Sequence, residues 1–186
     1  MGLANLANGV TAARLIATPL FVVCVLVAER SRAVGWLAGL LFAVAAWSDV
    51  VDGRMARRRG TASDWGRVFD HFADIVFVLV AFGIYARLGI APWWVPASIA
   101  ASFSFYVIDS WLRSAPVRPT LIGSRIGHVG GVANYVLIGV LVFNHSAGLH
   151  WLPAQVVTGL FLLVPLYSAA AIASRFAGRA EATDGS

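Results

Sequence analysis

Lysine is absent from this sequence, cysteine occurs once, and charge of either sign is scarce. Only 12% of its 186 residues are charged, about half the share of an ordinary soluble domain. Hydrophobic residues make up 59%, so the balance excludes a conventional water-facing domain and points to lipid as the solvent. Cys24 has no second thiol, which excludes an intramolecular disulfide and a thiolate metal site; its apolar setting predicts core packing or lipid contact. No Ser/Gly-rich or Pro-rich linker interrupts the apolar pattern before Ala180. One transmembrane domain over 1–179, followed by a polar tail over 180–186, is therefore expected.

What charge there is has a distinct distribution. The fourteen basic residues are all Arg and give a net charge of +5. They flank apolar stretches, which reads as the basic margin of membrane spans and not as a nucleic-acid surface. The uncharged run 15–28 has the look of a signal-peptide core, but the first Arg comes as late as Arg14 and equally long apolar runs follow throughout the chain.

A helical span needs about twenty mostly apolar residues. Six such stretches are present, near 10–28, 33–55, 68–88, 92–112, 126–143 and 151–174. The predicted fold is thus an all-α integral membrane protein, six transmembrane helices in one bundle. With six spans both termini share a side. That side carries Arg14, Arg54, Arg57, Arg58, Arg59, Arg67, Arg113, Arg118, Arg125, Arg175 and Arg179, against Arg30, Arg32 and Arg87 on the other. The positive-inside bias predicts cytoplasmic termini, and Trp36, Trp93, Trp94 and Trp151 then form an aromatic belt at the outer interface. Small residues at four-residue spacing, Gly35 and Gly39, then Gly123, Gly127 and Gly131, predict close helix packing.

Five Asp fall within 49–74, DVVDGRMARRRGTASDWGRVFDHFAD. The offsets of Asp49, Asp52, Gly53 and Ala56 place them within about 100° of arc on one helix face; Gly66, Asp70 and Asp74, spaced by four, share a face on the next helix. Two short-linked antiparallel helices can turn these faces toward each other. Four converging carboxylates would repel and lose hydration unless cations or protons accompany them. Oxygen-only ligation without His or Cys favours Mg²⁺ or Mn²⁺, which commonly bind carboxylates together with substrate phosphates. Arg57 stays near the Asp49 face and can meet a phosphate, whereas Arg58 and Arg59 read as inside-positive anchors. Asp64 falls outside the register; it or Ser63 is expected to cap the third helix, with Ser63 also able to donate to a phosphate.

These residues closely resemble the signature of the CDP-alcohol phosphatidyltransferase family, D-x2-D-G-x2-A-R-x8-G-x3-D-x3-D. Every fixed position is met, by Asp49, Asp52, Gly53, Ala56, Arg57, Gly66, Asp70 and Asp74. Asn8, Thr11 and Arg14 are similar to the family's shorter N-x2-T-x2-R element. The resemblance implies transfer of a substituted phosphoryl group from a CDP-linked lipid such as CDP-diacylglycerol to an alcohol hydroxyl, releasing CMP, in phospholipid biosynthesis. It implies two metal ions on Asp49, Asp52, Asp70 and Asp74, with Asp74 also as general base. It further implies donor contacts from Asn8, Thr11, Gly53, Ala56, Arg57, Ser63 and Gly66, a homodimer, and a multi-pass enzyme of the cytoplasmic membrane whose site opens to the cytoplasm.

The acceptor lies outside that signature. Arg113, Arg118 and Arg125, between spans four and five, could hold a phosphorylated acceptor such as glycerol 3-phosphate or an inositol phosphate; Arg113 and Arg125 are nearest the helix ends. Phosphatidylglycerol is a further acceptor within the family. Two features depart from bacterial phosphatidylglycerophosphate synthases: FDHFAD replaces a DPxAD-like segment, and GSRIGHVGG stands where a Lys-rich segment is common. Among other residues, His71 and His128 read as rim packing residues, His145 and His150 as solvated. Asp109 is expected to pair with Arg113 at i to i+4, or to line the pocket with it. Competing classes are an intramembrane prenyltransferase, with longer bundles and differently spaced acids, and an ion-coupled transporter, whose acids should mark a path to the midplane.

Overall fold

The computed structural model describes the backbone of residues 4–59, 64–113 and 125–184, and the side chains of 14–47, 71–112 and 126–176. Seven α-helices occupy the described residues: α1 (Ala4–Val27), α2 (Arg32–Arg59), α3 (Asp64–Arg87), α4 (Trp94–Arg113), α5 (Arg125–Leu141), α6 (Ala154–Phe161) and α7 (Leu163–Asp184). A single-turn 3₁₀ segment, Ala28–Arg30, joins α1 to α2, and a π-helical segment, Val142–Ser146, extends α5.

Three of these stretches are long and apolar enough to cross a membrane: Trp94–Leu112, Ile126–Ser146 and Ala154–Phe176, of 19, 21 and 23 residues. Arg32–Trp47 is a shorter apolar helix among the described residues. Large apolar side chains such as Leu20, Leu40, Val136 and Leu166 lie on the outside of the bundle, as lipid-facing positions do. The molecule is an all-α, membrane-integral protein.

Residues expected to form one sixth span, 151–174, divide between α6 and α7 at Leu162, whose N–H turns back to the Gly159 carbonyl at 3.1 Å. Pro165 accounts for the break, because it has no N–H to offer the Phe161 carbonyl one turn earlier. At the other end of that helix the backbone of Ala180 through Asp184 continues α7, so most of the expected tail is helical.

In the bundle α1 packs against α2 and α3, α4 lies between α3 and α7, and α5 contacts α3, α6 and α7. Phe21, Phe77, Phe82, Tyr85, Ile138, Leu141, Phe161 and Val164 fill the core, with Cys24 buried among them. The links between α1 and α2, α3 and α4, and α5 and α6 gather at one end, here the turn end. The opposite end, where α2 leads into α3, is the acidic end.

Gly35 shows why small residues were needed at the turn end. A Cβ there would run into the Ser146 backbone carbonyl, so α2 crosses the π-helical segment at backbone contact. Gly39 sits beneath the Phe143 ring in the same crossing. On α5 the expected stripe is shifted: Gly131 has open space, while Gly130 lies against the Tyr167 ring, where a Cβ would be 3.0 Å from Cδ2. The buried face of α5 runs through Gly130, Asn134, Leu137, Ile138 and Leu141. Gly131 is one residue off that face, a rotation of about 100°.

Candidate active site

The acidic stripes continue the core stripes. On α2 the buried residues Ala38, Phe42 and Ala45 recur at helical spacing, and the same spacing carried onward reaches Asp49, Asp52 and Ala56. On α3 the buried Ile84, Ala81, Phe77 and Ala73 lead back in the same way to Asp70 and Gly66. Phe42 and Phe77 meet with ring centroids 6.5 Å apart and planes at 24°, which fixes the faces that the two helices turn toward each other. Asp49 lies seven residues after Phe42 and Asp70 seven before Phe77. Seven residues are about two turns, a rise of roughly 10 Å with only about 20° of rotation. Along the backbone both acidic positions thus lie about two turns from that ring pair, toward the acidic end.

Side chains of Asp49, Asp52, Gly53, Ala56 and Arg57 on α2, and of Gly66 and Asp70 on α3, lie outside the described residues, as do those of Asn8 and Thr11 on α1. Arg113 closes α4 and Arg125 opens α5; their side chains, with Arg118 and Ser63 entirely, also lie outside the described residues. Among the described residues no three His, Cys, Asp or Glu side chains converge, and Asp74 is the sole member of the acidic quartet whose side chain belongs to them.

Asp74 is held from two helices. Arg14 of α1 forms an ion pair with its Oδ1, and the Tyr135 hydroxyl of α5 donates to the same oxygen at 3.1 Å. The Arg14 side chain is 0% exposed while that of Asp74 keeps 23%, so the pair is buried on the Arg side and reachable on the carboxylate side. A buried guanidinium is tolerated in an apolar bundle only when such a partner balances it. The Tyr135 ring stacks on Phe77 at 6.0 Å and 16° and lies 6.3 Å from Phe42. The aromatic contact that sets the α2–α3 register thus also aims the Tyr135 hydroxyl.

A second ion pair joins α4 to α7. Arg175 Nη1 donates to Asp109 Oδ2 at 2.7 Å, and both residues are buried. The side chain of the expected partner, Arg113, lies outside the described residues. Asp109 reaches into the α4–α7 interface, where each charge balances the other in apolar surroundings. The Arg175 guanidinium also lies 4.5 Å over the Tyr106 ring, a cation–π contact, and Tyr106 lies 6.0 Å from the His71 ring. His71 is exposed apart from that contact, and His128 is exposed on α5. At the turn end His150 is exposed, while His145 is half-buried and meets it edge-on.

Two contributors escaped the sequence reading. Tyr135 sits in an apolar run where a tyrosine reads as packing; its neighbour Asn134, bonded by the Tyr167 hydroxyl, was the local sign that polar groups point inward here. Arg175 was counted only as a flanking charge.

The fold is that of a membrane-integral helical bundle. The chain belongs to the CDP-alcohol phosphatidyltransferase family, whose model matches residues 4–173. It is 31% identical over 166 residues to a probable phosphatidylglycerophosphate synthase of Mycobacterium tuberculosis, covering 87% of this chain and 77% of that protein. A CDP-diacylglycerol–glycerol-3-phosphate 3-phosphatidyltransferase of Bacillus subtilis is 29% identical over 175 residues, 89% and 87% of the two chains. The Escherichia coli protein of the same description is 32% identical over 111 residues, 58% and 60% of the two. The enzyme transfers a substituted phosphoryl group from a CDP-linked lipid to an alcohol hydroxyl and releases CMP, a step of phospholipid biosynthesis.

Proposed function

We propose that this enzyme transfers the phosphatidyl group of CDP-diacylglycerol to glycerol 3-phosphate. The observation that carries the reaction is the continuation of the α2 and α3 core stripes into Asp49, Asp52, Asp70 and Asp74, set in register by Phe42 and Phe77. The acceptor is supported by the likeness to the Mycobacterium and Bacillus enzymes over most of both chains, which outweighs the departures at His71 and in the 123–131 segment.

Asp49, Asp52, Asp70 and Asp74 offer carboxylate oxygens alone, a donor set that fits two Mg²⁺ or Mn²⁺ ions. When bound, such ions neutralise the pyrophosphate and polarise the phosphorus under attack. Asp74 accepts the proton of the acceptor hydroxyl. The freed oxygen forms a bond to the phosphorus that carries the diacylglycerol, and the bond from that phosphorus to the bridging oxygen breaks. CMP departs with the electron pair. Asn8, Thr11, Gly53, Ala56, Arg57, Ser63 and Gly66 accommodate the CDP head, Gly53 and Gly66 leaving the backbone accessible. Arg113, which closes α4, and Arg125, which opens α5, hold the acceptor phosphate.

In this reading six spans cross the cytoplasmic membrane with both termini and the acidic end in the cytosol, where nucleotide and acceptor are found while the acyl chains stay in lipid. Exposed Trp36, Trp93, Trp94 and Trp151 at the turn end suit the opposite interface. A homodimer follows from the family resemblance.

The test is to incubate the purified enzyme with CDP-diacylglycerol, Mg²⁺ or Mn²⁺, and either glycerol 3-phosphate, inositol phosphate or phosphatidylglycerol, then measure CMP and the mass of the lipid product. Glycerol 3-phosphate should support the fastest CMP release and yield phosphatidylglycerophosphate. Faster turnover with another acceptor would overturn the assignment of glycerol 3-phosphate.

A further inference from the structure

The donor signature accounts for Asp74 but not for what holds it. Arg14 from α1 and Tyr135 from α5 reach the same oxygen, Oδ1, from different helices. Two donors from separate elements on one carboxylate oxygen oppose rotation of the group about χ2. Tyr135 has little freedom of its own, since its ring is stacked on Phe77 and flanked by Phe42. A phenylalanine would fill that aromatic position equally well, so packing alone does not call for the hydroxyl. Its evident partner is Asp74. The Arg14 side chain is itself fully buried, and its backbone carbonyl accepts the Thr18 hydroxyl at 2.8 Å.

We infer that Arg14 and Tyr135 are positioning residues for Asp74: they fix the plane of its carboxylate so that it meets the acceptor hydroxyl at one orientation. The inference rests on Asp74 being the base, as proposed above. Proton transfer depends on such alignment, and small displacements of a reacting group cost large factors in rate. A partner that orients a metal-binding or catalytic side chain typically contributes about tenfold to a hundredfold.

The test uses the full-length enzyme in detergent, with CDP-diacylglycerol and glycerol 3-phosphate, comparing wild type, Asp74→Asn, Tyr135→Phe, Arg14→Lys and Arg14→Gln. Tyr135→Phe keeps the ring stack and should lower kcat about tenfold at equal folded concentration, leaving KM for the donor unchanged, with the melting temperature falling only as loss of one hydrogen bond requires. Arg14→Lys should retain more turnover than Arg14→Gln, because it keeps a cationic donor. Wild-type kcat in Tyr135→Phe would overturn the positioning role, and so would a kcat loss that vanishes once rates are compared at equal folded concentration. The outcomes separate the two claims: no CMP from wild type, or normal turnover by Asp74→Asn, removes the proposed mechanism and this inference with it, whereas a silent Tyr135→Phe beside an inactive Asp74→Asn removes the inference alone.

Discussion

The two ends of the bundle solve the problem of buried polarity in opposite ways. At the turn end the contacts are neutral. Tyr85 and Ser146 share a hydrogen bond of 2.8 Å in the interior, and the Asn144 amide brackets Leu152, accepting from its N–H at 2.9 Å and donating to its carbonyl at 3.2 Å. Toward the acidic end the interior holds full charges, Arg14 with Asp74 and Arg175 with Asp109. Neutral bonds contribute about 1 kcal/mol each and need nothing further to be satisfied. Buried ions cost several kcal/mol and survive only by pairing. The turn end is therefore held by neutral bonds and the acidic end by paired charges.

Breaking one contact at each end sharpens that contrast. Asp109→Asn leaves Arg175 buried without a carboxylate and should destabilise the protein by about 3 kcal/mol, read as a clear drop of the melting temperature in detergent. Tyr85→Phe removes one neutral hydrogen bond and should cost only about 1 kcal/mol, with CMP release unchanged. Equal effects on stability would show that the charged pair is no more consequential than the neutral one, and lost turnover in Tyr85→Phe would deny the turn end its purely structural part.

Much of this architecture is legible in the sequence, because lipid enforces it. Apolar runs marked where the helices lie, although the backbone of α1 begins at Ala4 and that of α7 continues to Asp184, beyond the expected 10–28 and 151–174. What escaped is relational. Arg175 lies 66 residues from Asp109 in the chain, and only the packing of α4 on α7 brings the two together. Gly131 and Gly130 are indistinguishable by composition, and the rotation of α5 decides which meets Tyr167. The break at Leu162 depends on how Pro165 is accommodated, which a hydropathy pattern does not register. Tyr135 is the sharpest case: nothing in GVANYVLIG announces a bond to Asp74, sixty-one residues earlier. Helical period reports faces, whereas pairing across helices requires their rotation and register.

The central claim is that Asp74 carries the proton transfer within a CDP-alcohol phosphatidyltransferase. Asn at that position keeps a side-chain oxygen for Arg14 and Tyr135 but takes a negative charge from the buried guanidinium and is a far weaker base, so the variant should fold with a lower melting temperature, like Asp109→Asn, while the reaction fails. CMP release from CDP-diacylglycerol by purified Asp74→Asn, measured beside wild type at equal folded concentration, should fall by about 10²–10⁴-fold; turnover close to that of wild type would contradict the account.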